Sequence, residues 1–254
     1  MENAKPVLIT ITGGTASGKS YLFNHIRDVA KLPCLISTTT RAPRVGEKEG
    51  VDYYYINEGD SLRLEDRGDL AELAIYNGVR YGVTKKEFFG KLNLGMAFLI
   101  CEANGVTHYA QPAVDAGALH LKVYVHTDPE LRIKRFRARA ETDMKQAAAR
   151  LADAAIRSGI SGESYMPAAA ALLKEFNTSL NRISSMLTEE MKWGNMHSWD
   201  RVVFGDKSPE ENLEIIMNDV RKMQALDLEA TREKARIHNQ YQWDQYSESR
   251  NQTE

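Results

Sequence analysis

Gly13-Gly14-Thr15-Ala16-Ser17-Gly18-Lys19-Ser20 is the densest run of chemistry-bearing residues in the chain and matches G-x-x-x-x-G-K-[ST]. Glycines let such a loop wrap until its backbone N–H groups converge on phosphate oxygens. Lys19 then reaches the β- and γ-phosphates, and the Ser20 hydroxyl can ligate Mg2+. The loop follows a strand-like run, Val7–Ile11, and precedes a helix-like run, Tyr21–Ala30, so a helix N-terminus adds its positive end. A chance glycine-rich turn has no reason to sit at that junction. The expected donor site is therefore Gly13, Gly14, Thr15, Ala16, Ser17, Gly18, Lys19 and Ser20 together with Tyr21. Lys19 is its catalytic charge, Ser20 its metal ligand, and ATP and Mg2+ its occupants.

A second constellation follows. Ser37-Thr38-Thr39-Thr40-Arg41-Ala42-Pro43-Arg44, then Gly46-Glu47, Gly50-Val51-Asp52-Tyr53, Glu72 and Asn77-Gly78-Val79-Arg80-Tyr81-Gly82 string arginines, tyrosines and one carboxylate together. Arg41 and Arg44 supply planar forks for phosphate, tyrosine hydroxyls add neutral donors, and a lone glutamate can accept two parallel N–H bonds from a purine edge. Scattered charges on a solvated loop would use the same residue types, and on residue chemistry alone both explanations stand.

The elements that must position these residues are legible in outline. Strand-length apolar runs recur at Val7–Ile11, Met96–Cys101, Leu119–Val125 and Arg201–Phe204, with helix-like stretches between, the pattern of a parallel sheet covered by helices. Asp128-Pro129-Glu130 and the Ser208/Glu211 pair are helix-start signals. Tyr53–Ile56, Leu70–Ile75 and Val79–Val83, the last two around Asn77-Gly78, predict a small sheet with a hairpin. The 254 residues, 43% hydrophobic and 27% charged with only 7 prolines, suit one core with insertions and exclude a disordered or fibrous chain. With 35 acidic against 33 basic side chains there is no global basic field for bulk attraction to nucleic acid. Cys34 and Cys101 lie in apolar runs and read as buried thiols of a reducing compartment. No apolar run approaches the ~20 residues of a membrane span. The N-terminus enters the first strand without a signal-type segment, so the expectation is a cytoplasmic protein with no membrane partner.

In this order and spacing the motifs resemble the guanylate kinase family, from the phosphate loop to about residue 150 and again at Asp200–Phe204. The resemblance implies an α/β fold: a P-loop kinase core with a parallel sheet covered by helices, a small sheet-rich acceptor-binding insert and a helical lid. On that pattern residues 1–36, 96–138 and 198–225 form the core, 37–95 the insert, 139–158 the lid, 159–197 a helical insertion and 226–254 a polar tail. It also implies that Ser37, Arg41, Arg44, Tyr53, Glu72 and Tyr81 bind a guanosine-type monophosphate, with Arg and Tyr on phosphate and Glu72 on the base. The lid arginines correspond to Arg135, Arg139 and Arg150, the first two at i, i+4 on one helix and Arg150 on the next. Three departures stand out. Val83 takes the place of the hydroxyl residue that donates to the purine O6, and of two acids at alternate positions only Glu102 remains, the other being Ile100. Gly205 replaces an asparagine. Val83 and Glu102 are counted with the acceptor site. The activity implied is phosphoryl transfer from ATP to a nucleoside monophosphate. Val83 and Ile100 keep open an altered acceptor, a modified deoxynucleotide or a modified base in nucleic acid. A non-catalytic scaffold module is the third class, disfavoured by the intact Gly18-Lys19-Ser20.

Overall fold

The computed structural model describes residues 4–43, 46–76, 78–158 and 199–251, with a few positions between 166 and 174. Arg44 and most of the expected insertion at 159–197 lie outside the described residues.

The four apolar runs form one parallel sheet. β1 (Val7–Thr12) lies between β6 (Met96–Ile100) and β7 (Leu119–His126), and β8 (Arg201–Phe204) pairs with the far edge of β7. β1 is buried along its whole length because helices and the insert cover both faces, which is why it reads as a continuous apolar run instead of an alternating one. Val7, Ile9 and Ile11 point to one face, where Leu22, Phe23 and Ile26 of α1 (Lys19–Asp28) and Ile216 and Val220 of α7 (Pro209–Asn251) meet them. Leu8, Ala97 and Leu99 point to the other.

That second face carries the insert. β2 (Thr38–Thr39), β3 (Tyr54–Tyr55), β4 (Leu70–Tyr76) and β5 (Val79–Thr84) form a separate sheet in the order β3-β2-β5-β4, with β4 and β5 the expected antiparallel pair. α2 (Glu58–Asp66) lies against β4 and β5, where Arg80 is buried between Ser61 and Glu65. Val83 of β5, with Phe88 and Leu92 of α3 (Lys85–Leu92), enters the core cluster under Leu8 and Leu99. Tyr109 completes this cluster between α4 (Ala103–His108) and α5 (Ala110–Asp115). The insert is thus joined to the core sheet through packed side chains and not by its connections alone.

Both predicted helix starts are realised. The Asp128 carboxylate accepts from Glu130 N at 2.9 Å and opens α6 (Pro129–Ser158), while Ser208 and Glu211 exchange bonds at 3.2 and 3.3 Å to open α7. Two expectations change. Arg150 is on the same helix as Arg135 and Arg139, because Ala-Glu-Thr-Asp-Met-Lys-Gln-Ala-Ala-Ala between them contains no glycine or proline to stop it. The segment expected as a polar tail continues α7 as helix to Asn251. Among the described residues no helix is long and apolar enough to cross a membrane.

His120 of β7 is neutral in the fold. Its ring nitrogen lies 2.9 Å from the Thr10 hydroxyl, and burial lowers its pKa from 6.5 to about 4, against the pull of Asp200 and with the push of Lys122. A depressed folded-state pKa means that stability is present above the unfolded value near 6.5 and is lost as pH falls towards 4. The thermal midpoint is expected to drop over that window more steeply in the wild type than in His120→Gln. Parallel pH profiles for the two proteins would remove this residue from the acid limb.

Candidate active site

The phosphate loop leaves β1 at Thr12 and returns as α1. Ser17 N donates to the Gly14 carbonyl at 3.1 Å, closing the loop, and Lys19 Nζ reaches back to the same carbonyl at 3.4 Å. No described side chain caps α1, and its first turn contains no acid, so its leading amides face no competing carboxylate. Ser20 is exposed beside Lys19, and the exposed Tyr21 follows.

Three groups outside the motif hold the loop in shape. The buried Arg132 donates from Nε to Thr15 O at 2.9 Å, Thr127 Oγ1 donates to Ser17 O at 2.7 Å, and Gly205 presses its Cα against the Ser17 carbonyl. A Cβ at Gly205 would stand 1.8 Å from Ser17 O and 2.4 Å from Thr127 Oγ1, so this position admits only glycine. Asn212 fixes it there by bonding both polar groups of the Phe204 backbone, at 2.8 and 3.3 Å. Sequence reasoning noticed Gly205 only as a departure and missed Thr127 altogether. Their signal is a close approach between segments far apart in the chain.

Arg135, one helical turn beyond Arg132, donates from Nη2 to Gly205 O at 3.0 Å, and its Nη1 faces Gly18. The structure thus brings Arg135 to the phosphate loop. Arg139 is exposed one turn farther and lies over the Phe136 ring at 5.4 Å. Arg150 is exposed eleven residues beyond Arg139, roughly 16 Å along the helix. All three share a stripe of α6, but only Arg135 reaches the loop.

On the insert Arg41, Tyr53 and Tyr81, the residues expected to hold the acceptor, come together. The Arg41 guanidinium sits 5.3 Å from the Tyr53 ring centroid, and the Tyr53 and Tyr81 rings meet edge-on at 6.1 Å. The Arg41 fork is engaged by Glu47 through two 3.0 Å bonds, and Tyr55 OH holds the same carboxylate at 2.8 Å. The fork expected to take phosphate is therefore fixed by Glu47, and the Nε beside it is buried without a hydrogen-bond partner. Ser37 is half-buried next to β2, its carbonyl accepting from Tyr54 N at 2.9 Å.

Glu72 owes its position to a bulge. In β4 the register against β5 shifts between Leu70 and Glu72, so that Glu72 pairs with Val83, and Gly82 permits the close crossing because a Cβ there would meet Glu72 O at 2.8 Å. The Glu72 side chain is only 5% exposed. Burial pushes its pKa up, while the Tyr109 hydroxyl and His108 pull it back. Beside it, at the end of β6, the Cys101 thiol is raised to about 12 by burial. A hydrogen bond with Thr12 pulls it back, the Glu72 and Glu102 carboxylates push it up, and Lys19 opposes them. Ile100, the missing second acid, packs against the first core cluster. Val83 is fully buried in the second cluster.

Among the described residues three buried side-chain polar atoms have no hydrogen-bond partner: Ser17 Oγ, Arg41 Nε and Arg135 Nη1. A buried N–H or O–H without a partner is costly, and native structures contain few. Two of them, Ser17 Oγ and Arg135 Nη1, lie at the phosphate loop and the third lies on the insert, and two belong to guanidinium groups suited to an anion.

A family model described as guanylate kinase matches residues 4–186. The guanylate kinase of Streptomyces kasugaensis is 32% identical over 121 residues, 47% of this chain and 59% of that protein. That of Synechococcus sp. (strain JA-3-3Ab) is 34% identical over 129 residues, 50% of this chain and 59% of that protein. The alignments thus span 59% of the length of these curated relatives. The crystal structure of guanylate kinase from Anaplasma phagocytophilum has the same fold, with a TM-score of 0.51, 19% identity, and coverage of 87% of this chain and 88% of that one.

Proposed function

The chain belongs to the guanylate kinase family, and from that membership we propose that it transfers the γ-phosphate of ATP to a guanosine-type monophosphate. The observation that carries this reading is the set of orphaned buried donors, Ser17 Oγ and Arg135 Nη1 at the phosphate loop and Arg41 Nε on the insert. On local opening of the enclosed loop and insert, triphosphate oxygens satisfy the first two and the acceptor phosphate satisfies the third. The intact loop and its clamps support a catalyst over a scaffold module.

In the proposed reaction the leading amides of α1 and Lys19 hold the β- and γ-phosphates, while Arg41, Tyr53 and Tyr81, with Arg44, hold the acceptor phosphate. An acceptor oxygen attacks the γ-phosphorus in line, the bond from that phosphorus to the β,γ-bridging oxygen breaks, and ADP leaves. Protein covalent chemistry is not required, so catalysis is positioning plus neutralisation of charge by Lys19 and Arg135. Mg2+ fits as a ligand that arrives with the nucleotide, since the exposed Ser20 hydroxyl offers one hard oxygen and the phosphates supply others. The chemistry supplied by Mg2+ is neutralisation of charge on the β- and γ-oxygens. Arg139 and Arg150 lie farther out on α6 and act as lid residues, reaching substrate only if the outer part of the helix moves. Glu72 and Glu102, with Ser37, face the base. The test is a panel of nucleoside monophosphates, deoxy and modified forms included, scored for ATP-dependent diphosphate formation. GMP or dGMP should lead it, and a panel with no turnover would reject the assignment.

Val83, expected among the residues that line the acceptor site, is instead closed off in the apolar cluster, so it bears on that preference only through its neighbour Glu72 or on local opening. It pairs with Glu72 across the strands, yet offers no donor to an O6. An unmade bond to a buried polar group costs ~1–3 kcal/mol, about five- to 150-fold in discrimination. Val83→Thr keeps the side-chain shape and adds a hydroxyl. It is expected to raise the ratio of kcat/KM for GMP over the next-best monophosphate within that range, with some loss of stability because the hydroxyl enters an apolar cluster. A lowered ratio would show that position 83 does not govern O6 recognition.

A further inference from the structure

Glu72 is held from behind. Tyr109 is 2% exposed, its ring stacks on Phe88 at 6.1 Å and 14°, and its hydroxyl donates to Glu72 Oε2 at 2.8 Å. His108 Nδ1 approaches the other oxygen, Oε1, at 3.6 Å from a half-exposed position. That distance is too long for a directed hydrogen bond, so His108 acts near Oε1 without fixing its geometry.

We propose that Tyr109 is a positioning residue that determines base specificity: its hydroxyl, carried on a ring locked in the core, sets the plane of the Glu72 carboxylate against a base edge with two adjacent N–H donors. This rests on the reading of Glu72 as the base acceptor. The terminal torsion of a glutamate is broad and roughly two-fold, so an unrestrained carboxylate samples many planes. Recognition of two parallel N–H groups requires both oxygens in one plane with the base. A carboxylate has about four lone-pair directions, and Tyr109 uses one of them on the core side, leaving the outward pair for the ligand. The ring cannot drift, because Phe88 and the apolar cluster of Leu8, Leu35 and Leu99 enclose it. The bulge in β4 aims the Glu72 backbone and Tyr109 aims its head group, one constraint from its own strand and one from a residue 37 positions away. The ligand class selected is a purine monophosphate with both an N1–H and a 2-amino group, over one with the N1–H alone.

A buried tyrosine hydroxyl needs some partner, and a purely structural role would predict the same contact. The two roles separate in Tyr109→Phe, which keeps the ring and its stacking and removes only the hydroxyl. The readout is the ratio of kcat/KM for GMP to that for IMP, which lacks the 2-amino group. Because it is a ratio on one enzyme preparation, a change in folded fraction cancels. Tyr109→Phe is expected to lower the ratio about tenfold, mainly through KM for GMP, with KM for ATP unchanged. Glu72→Gln should lower it at least as much, and adding Tyr109→Phe to Glu72→Gln should lower it no further. If Glu72→Gln collapses the ratio while Tyr109→Phe stays within about twofold of wild type, Tyr109 is a packing residue and the proposal is overturned, with Glu72 still the base acceptor. If Glu72→Gln leaves the ratio intact, the assignment of Glu72 fails and the proposal fails with it. A further fall in the double variant would also overturn it, since the hydroxyl would then act independently of the carboxylate.

Discussion

Lys19→Ala is expected to lower phosphoryl transfer by about a thousandfold or more while leaving the thermal midpoint within a few degrees of wild type. Lys19 opens α1 and is only half-buried, with its Nζ resting on the Gly14 carbonyl at 3.4 Å, so it contributes charge at the phosphates and little packing. Alanine is the best helix former, and the first turn of α1 tolerates it. The loop keeps its shape without the lysine because its clamps are elsewhere, in Arg132, Thr127 and Gly205. The expected signature is a collapse of kcat with a folded, cooperative melting transition. Near-normal turnover in that variant would sink the phosphate-loop assignment. A loss of the melting transition would show instead that Lys19 supports the fold.

How much of this was legible in the sequence depends on whether the cause was local. The four core strands were readable because each is an apolar run of strand length, and the helix starts at Asp128 and Ser208 because a cap is a contact between residues two or three apart. β3 falls inside the strand expected at Tyr53–Ile56, whereas β2, two residues long, was not readable, since its pairing is set by partners more than a dozen residues away. The motif named the loop residues but not their strain: Ala16 takes φ 61°, a left-handed conformation that costs a non-glycine residue ~1–2 kcal/mol and persists only where surrounding contacts enforce it. Glu72 was named by its type and place before the hairpin. The bulge that aims it and the hydroxyl that holds it come from other elements, and Tyr109 in sequence is one more aromatic in a helical stretch. Arg150 went to the wrong helix because the resemblance outweighed a plain composition signal, ten residues of mostly strong helix formers with nothing to end them. The clamps share one property. Each side chain or backbone atom touches the loop across 110 or more positions of sequence, where no pattern of spacing can report it.

Gly205→Ala is expected to damage the donor site as severely as any change in the motif, although residue 205 lies 187 positions past Gly18 and carries no side chain. The added Cβ would stand 1.8 Å from Ser17 O and 2.4 Å from Thr127 Oγ1, and atoms at such separations must part by roughly 1 Å or more. Neither neighbour can give cheaply. The Ser17 carbonyl is backbone in the loop that must wrap the phosphates, and it accepts the 2.7 Å bond from Thr127, whose other contact is the His126 carbonyl at 2.8 Å. Residue 205 cannot withdraw either, because its N–H donates to His126 O at 2.8 Å and Asn212 holds the preceding backbone from both sides. The strain therefore falls on the loop. A displacement of about 1 Å in a positioning element costs about a hundredfold in rate, and overpacking costs ~1–3 kcal/mol in stability. The expected result is a kcat/KM for ATP lowered about a hundredfold or more, a lower thermal midpoint that ATP no longer raises, and much the same outcome for Gly205→Asn, the residue that the family resemblance would have placed here. Wild-type kinetics in Gly205→Asn would mean that the loop and β8 separate freely, and that the contact between Gly205 and Ser17 is not what shapes the phosphate site.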